Sequence, residues 1–192
     1  MLASVRSEWP ESHFHLQSWW FGIAEAHLAL YEGRGREAWY ILCRVWPQLR
    51  RSLLLGGEFH RVEARWLRAR AALGFAAECP PLADELLATA EQQCRSIERD
   101  GAPWGVAVAM TVRASIARQR GDAGLAERLL AEATPLLEAR SLDAMVAVTR
   151  RARGLMLTGE AAGDELARSE AFMSEQQIAE PQRFAAMYLP GC

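Results

Sequence analysis

Residues 104–142, WGVAVAMTVRASIARQRGDAGLAERLLAEATPLLEARSL, decide the fold class. In the first half Val108, Val112, Ser115 and Gln119 recur with the helical period, flanked by Ala107, Met110, Ala114 and Ala117. Small and apolar residues at spacings of three and four mark one face of a helix. Pro103 suits the first helical turn, where its missing N–H has no partner to lose. Gly121 suits a helix end, because glycine reaches the left-handed conformation at little cost. Asp122 can then accept the free N–H groups that open a second helix. That helix carries Ala126, Leu129, Leu130 and Ala133 as its apolar stripe.

The same unit recurs around Gly33. Seven residues before the turn glycine stand Ala26 and Ala114; five after it, Ala38 and Ala126; nine after it, Leu42 and Leu130. Fourteen residues after the glycine both copies carry a proline, Pro47 and Pro135, and leucine follows two residues later, Leu49 and Leu137. A proline inside a helix costs roughly 3 kcal/mol, so two at one offset indicate an inherited kink in a repeated unit. Residues 58–99 fit the unit when Ala71 is aligned with Ala26 and Ala114. Ala83, Leu87 and Ala90 then occupy the second-helix positions, and Pro80-Pro81 replaces the turn glycine. The unit resembles a tetratricopeptide-type helical hairpin, in which small residues let paired backbones approach closely.

The chain in order reads as helices over about 13–32, 35–54, 58–77 and 82–99, then the pair quoted above, then about 142–157 and 164–178. Residues 1–11 read as a linker or frayed end closed by Trp9-Pro10, with Ser12 as a cap. Leu16, Trp20, Ile23, His27 and Leu30 form one stripe of the first helix. Phe59, Val62, Trp66, Ala69 and Leu73 are expected to face the core. Ser141 is expected to start the seventh helix, and Pro181 a last short one holding Phe184, Met187 and Tyr188. No stretch alternates with the two-residue period of a strand. The expectation is an all-α, right-handed α-solenoid of about four antiparallel helix pairs over 12–178, with 179–192 as a C-terminal cap helix and tail.

Composition bounds the function. The 192 residues suffice for one domain with a sizeable core, and half of them are hydrophobic. No apolar run reaches the length of a membrane span, and no signal peptide opens the chain. Cys43, Cys79, Cys94 and Cys192 lie far apart, which fits a reducing cytoplasm and thiols used as small hydrophobes. All 22 basic residues are arginine. Without lysine there is no Schiff base and no Walker A loop. A formal charge of −2 gives no overall attraction to nucleic acid or an anionic membrane. The expected localisation is cytoplasmic, with no cofactor.

Searching for chemistry yields little. His13 and His15 lack further ligands to complete a metal site. His27, on an apolar stripe, reads as a core histidine with one hydrogen-bond partner. His60-Arg61 precedes Val62 where a kinase catalytic loop needs aspartate. Gly33-Arg34-Gly35 is too short for a phosphate loop and lies between helices. Arg61, Arg65 and Arg68 form a basic strip, either a solvated face with local ion pairs or a docking strip for an acidic partner. Five of the seven tryptophans, Trp9, Trp19, Trp20, Trp39 and Trp46, fall in the first quarter. They read either as aromatic core or as an interface. Trp19, Trp20 and Phe21 spread over about 200° of a helix at 100° per residue, so they cannot share one groove. Part of that surface is therefore expected to be an interface, covered by a preceding repeat or by self-association.

The segments WPQLRRSLLL (46–55), RVEARWLRARAALGFA (61–76), DGAPWG (100–105), RGDAGLAERLLAEA (120–133) and EPQRFAAMYLPGC (180–192) resemble the C-terminal region of large bacterial serine/threonine protein kinases of the myxobacterial type. In that family a kinase domain and an ATPase-like module precede a helical-repeat tail. The resemblance implies the tail alone, because no D-F-G, H-R-D or Walker motif is present, and kinase activity transfers to no residue here. It implies a non-catalytic interaction or sensory scaffold with protein partners, such as a preceding repeat or a kinase/ATPase module. The alternatives are a ligand-sensing repeat domain of a transcriptional regulator and a fragment with phosphotransfer activity.

Overall fold

The structure, a computed structural model, describes residues 16–192. Among these residues there are nine α-helices and no strand. They are α1 (Leu16–Tyr31), α2 (Gly35–Arg51), α3 (Glu58–Glu78), α4 (Ala83–Asp100), α5 (Pro103–Gln119), α6 (Ala123–Glu138), α7 (Asp143–Gly154), α8 (Gly159–Glu175) and α9 (Pro181–Tyr188). The readings of Trp9-Pro10, Ser12 and the 1–11 linker lie outside the described residues, as do His13 and His15. No described helix is long and apolar enough to cross a membrane.

Helices α1 to α8 pack as four sequential hairpins, each also packed on the next. The odd-numbered helices α1 and α3, and α3 and α5, touch as well, and no two even-numbered helices make a comparable contact. The odd-numbered helices therefore line the inner face of the array and the even-numbered ones its outer face. This arrangement is consistent with a helical repeat.

The repeat register explains the packing. Ala26, Ala71 and Ala114 all have no exposed surface. A methyl side chain there lets neighbouring helices approach closely, which longer side chains would prevent. Across from them Ala38, Leu42, Leu87, Ala90, Ala126, Leu130 and Ala133 are buried. Pro47 and Pro135 both lie inside helices, and the leucines two residues on, Leu49 and Leu137, are fully buried. Helix α5 is buried on most of its circumference, as the central element of an array must be. Replacing Ala114 with leucine is expected to lower stability by about 2 kcal/mol through overpacking. A thermal melt checks this, and an unchanged midpoint would show that the alanine register is not a close contact.

The turns follow the local signals. Gly121 has a φ of +84° and Gly33 one of +72°, conformations that side-chain-bearing residues rarely adopt. Asp122 Oδ1 accepts from the Leu125 N–H at 2.9 Å and so caps α6. A tighter junction joins the first two hairpins. The start of α2 crosses α3 where Gly35 meets Gly74, backbone against backbone. The Glu78 carboxylate, at the end of α3, accepts from the N–H groups of Gly35 and Arg36. A negative group at a helix N-terminus satisfies orphan donors and opposes the positive end of the helix dipole.

Several expectations need correction. Helix α2 stops at Arg51, before a 3₁₀ turn over Leu53–Gly56, because Ser52 turns extended and its hydroxyl accepts from the Leu54 N–H. Helix α7 starts at Asp143, since Ser141 is left-handed with φ +52°. Helix α8 opens at Gly159 rather than near 164, so that Leu166 can seat against Gly154 of α7. Phe59 is 57% exposed, not core, its ring lying beside Trp104 at 5.7 Å. In α1 it is Trp19, one residue away from the expected Trp20, that is fully buried with Ile23, Ala26 and Leu30.

The last short helix also differs in its place. It does not cap the end of the array. Helix α9 packs on both α7 and α1, crossing the inner face from one end to the other. Met187 packs on the first hydrophobic cluster, Tyr188 on the middle one, and Phe184 on the last. An amphipathic two-turn helix finds there an apolar surface that the end of a single hairpin does not offer.

Candidate functional site

The inner face is built around Arg70 of α3. Its neighbours Ala69, Ala71 and Ala72 are buried in the helix contacts, which leaves Arg70 directed at the groove between α1, α3 and α9. Arg70 is only 1% exposed. Its guanidinium lies 4.1 Å from the centroid of the Trp66 ring and 5.1 Å from that of Tyr188. The two rings are stacked on each other with centroids 5.8 Å apart. Aromatic faces stabilise a desolvated cation by about 2 kcal/mol.

The hydrogen bonding at Arg70 is sparse. Nη2 lies 2.8 Å from His27 Nε2, and because a guanidinium cannot accept, Nε2 is the acceptor and the ring proton sits on Nδ1. Nη1 donates to the Met187 carbonyl at 3.4 Å. Nε has no partner, and no carboxylate forms an ion pair with Arg70 among the described residues. Burial pulls the guanidinium down to about 10, so it stays charged at neutral pH. The rest of the C-terminal segment is held by α5. Gln119 Nε2 donates to the carbonyls of Leu73 and Pro190, both at 3.1 Å, and Ser115 Oγ lies 3.5 Å from Cys192 Sγ.

Burial, and then the adjacent Arg70, push His27 down to about 3. Its folded value is thus below the unfolded one near 6.5. Proton uptake then favours the unfolded chain, and stability falls as the pH drops below about 6.5. Between pH 7 and pH 5 this amounts to about 2 kcal/mol. Glu63 acts in the opposite sense: burial raises its carboxyl, against the lowering effect of His60, Trp19 and Arg70. Tyr188 faces the same space from α9. The expected result is therefore a stability–pH slope that His27→Gln flattens while the Glu63 contribution persists. Equal slopes for the two proteins in denaturant titrations at pH 7 and pH 5 would show that His27 is not the titrating group.

The sequence-expected interface residues are dispersed. Trp19 is core, Trp20 is 54% exposed on α1, and Phe21 is half-buried. Arg61 and Arg65 both bind Asp100 at the end of α4. Arg61 also donates to the carbonyls of Leu55 and Gly56 at 2.9 and 2.8 Å, and Arg65 to that of Ser96 at 3.0 Å. Arg68 lies over Trp46 at 4.4 Å and Trp39 at 5.3 Å. The strip is thus engaged with its own chain. Similar clamps recur farther along, where Arg113 bridges Glu91 and Glu98, and Arg153 bridges Glu127 and Glu165. An open hollow between α1 and α2 is lined by Glu25, Arg36, Glu37, Tyr40, Ile41 and Arg44, its charges mutually opposed. No group of three or more metal-ligating side chains lies together among the described residues.

The sequence reading missed Arg70 and Gln119 as site residues. The one available signal was a charged side chain, Arg70, set inside an alanine-rich run that must be buried. No protein-family model, no curated protein and no solved structure matches the chain.

Proposed function

We propose that the chain is a non-catalytic protein-interaction or sensory scaffold, a right-handed tetratricopeptide-like repeat region whose inner face seats a segment of protein. In the context suggested by the resemblance, it serves a bacterial signalling kinase/ATPase in the cytoplasm. The observation that supports this reading is the seat of α9. A two-turn helix packs on α1 and α7 and lies on α3 through the Tyr188 ring on Trp66 and Arg70, and the residues that follow it are held by Gln119 of α5. A face that holds one short helix in this way has the apolar floor and the few directed polar groups that recognition of another requires.

Site-specific photo-cross-linking in cells tests the reading. A cross-linking residue is scanned over exposed positions of every helix, Trp20, Tyr40 and Leu136 among them. A scaffold is expected to give one discrete protein adduct from several adjacent positions. The absence of adducts at all positions, or tight saturable binding of ATP by the purified chain, would contradict it.

A further inference from the structure

The C-terminal segment is held unlike any other element. Helices α1 to α8 pack on their sequence neighbours, whereas α9 leaves α8 and returns as far as α1. No residue of α9 is itself fully buried. The segment reaches its seat through Gln177, a non-glycine residue in the left-handed conformation with φ +53°. Its polar attachment is weak where the site is strongest. Beyond His27 and Trp66 of the array itself, the buried, charged Arg70 receives from this segment only a carbonyl at 3.4 Å and the face of Tyr188, and Nε stays without a partner. The occupant thus fits the shape of the face but leaves its most desolvated cation under-satisfied. An unmet buried donor is costly, which leaves room for a ligand that satisfies it.

We propose that Pro181–Cys192 is a built-in competitor, lying where a short aromatic helix of a partner protein binds, and that the partner binds by displacing it. The inference rests on the scaffold reading and gives it a ligand class and a control. The seat specifies the class: about two helical turns, aromatic side chains four residues apart as in Phe184 and Tyr188, and an apolar residue next as in Leu189. The second ring stacks on Trp66 and covers Arg70. A tethered competitor lowers the apparent affinity for the partner by the fraction of chains in which the face is open. Weakening the tail therefore tightens partner binding without touching the floor of the site.

The test uses the full chain and a labelled peptide of residues 179–191 as the probe. The unaltered protein is expected to bind it weakly. The Phe184→Ala/Tyr188→Ala protein, whose tail lacks both rings, is expected to bind it at least about tenfold tighter. A probe with a photoreactive phenylalanine at the tyrosine position is expected to attach to the α3 peptide that contains Trp66. Unchanged binding, attachment outside the inner face, or a concentration-dependent dimer formed by tail exchange would each overturn the proposal. If the double variant does not fold, hydrogen exchange of the unaltered chain decides. Amides of 182–189 exchanging at least about 100-fold faster than those of α5 support a displaceable segment. Exchange of both only on global unfolding overturns it. Should partner adducts form in cells on the odd-numbered helices while the probe fails to bind, the competitor is refuted and the scaffold reading stands.

Discussion

Gly35→Ala is expected to destabilise the chain by about 3 kcal/mol, the upper end of the range for overpacking. That corresponds to a melting midpoint lower by roughly 6–12 °C for a protein of this size. A β-carbon at Gly35 would stand 2.2 Å from the Gly74 carbonyl carbon and 2.6 Å from its Cα and oxygen. These are backbone atoms of a buried helix, so no side-chain rotation relieves the overlap. Separating α2 from α3 would also draw the α2 N-terminus away from the Glu78 carboxylate that caps it. The reciprocal change, Gly74→Ala, meets Gly35 Cα at 3.0 Å and the mobile end of Leu30 at 3.2 Å, and is expected to cost less. Equal stability for the glycine and alanine proteins at position 35 would mean that the first two hairpins are not joined by a backbone crossing.

The second large effect is expected from Arg61→Glu with Arg65→Glu. Both guanidiniums meet Asp100, whose side chain is 14% exposed, and they also fasten the 3₁₀ turn and the end of α4 through three hydrogen bonds to backbone carbonyls. Reversing both charges places three carboxylates together and leaves a largely buried one without a counter-ion. The expected loss is about 3 kcal/mol, as for breaking a buried ion pair. A lower urea midpoint shows it. A pair of substitutions that left the midpoint unchanged and abolished only partner capture would show instead that the strip is a docking surface.

The parts of this structure that were legible in the sequence are local. Gly121 and Asp122 announce a turn and a cap within three residues of each other, and both features form as their chemistry requires. Ala26, Ala71 and Ala114 are legible because close helix contacts recur at one place in each repeat. Neighbouring positions on a helix are harder to separate. Trp19 and Trp20 lie only about 100° apart; Trp20 falls on the stripe with Ile23 and Leu30, and Trp19 broadens it with Ala26. Packing against α3 buries the first and leaves the second in solvent.

The candidate site was illegible for a different reason. Arg70 and the Met187 carbonyl are separated by 117 positions, and Gln119 and Pro190 by 71. No periodicity encodes such pairings. A terminal Pro-initiated helix with two aromatic residues is equally compatible with a cap on the last hairpin and with a strap across all four. The choice between them is made by tertiary packing, where the inner face offers Trp66 for Tyr188 and the first hydrophobic cluster for Met187.

That choice is also where the account is most directly exposed to test. Nuclear Overhauser contacts of the Tyr188 ring, recorded on the unaltered protein, distinguish the strap from the cap. The account predicts cross-peaks from the Tyr188 ring to the Trp66 indole of α3, and from Met187 to side chains of α1. A Tyr188 ring in contact only with residues of α7 and α8 would contradict it, and the inner face would then be empty.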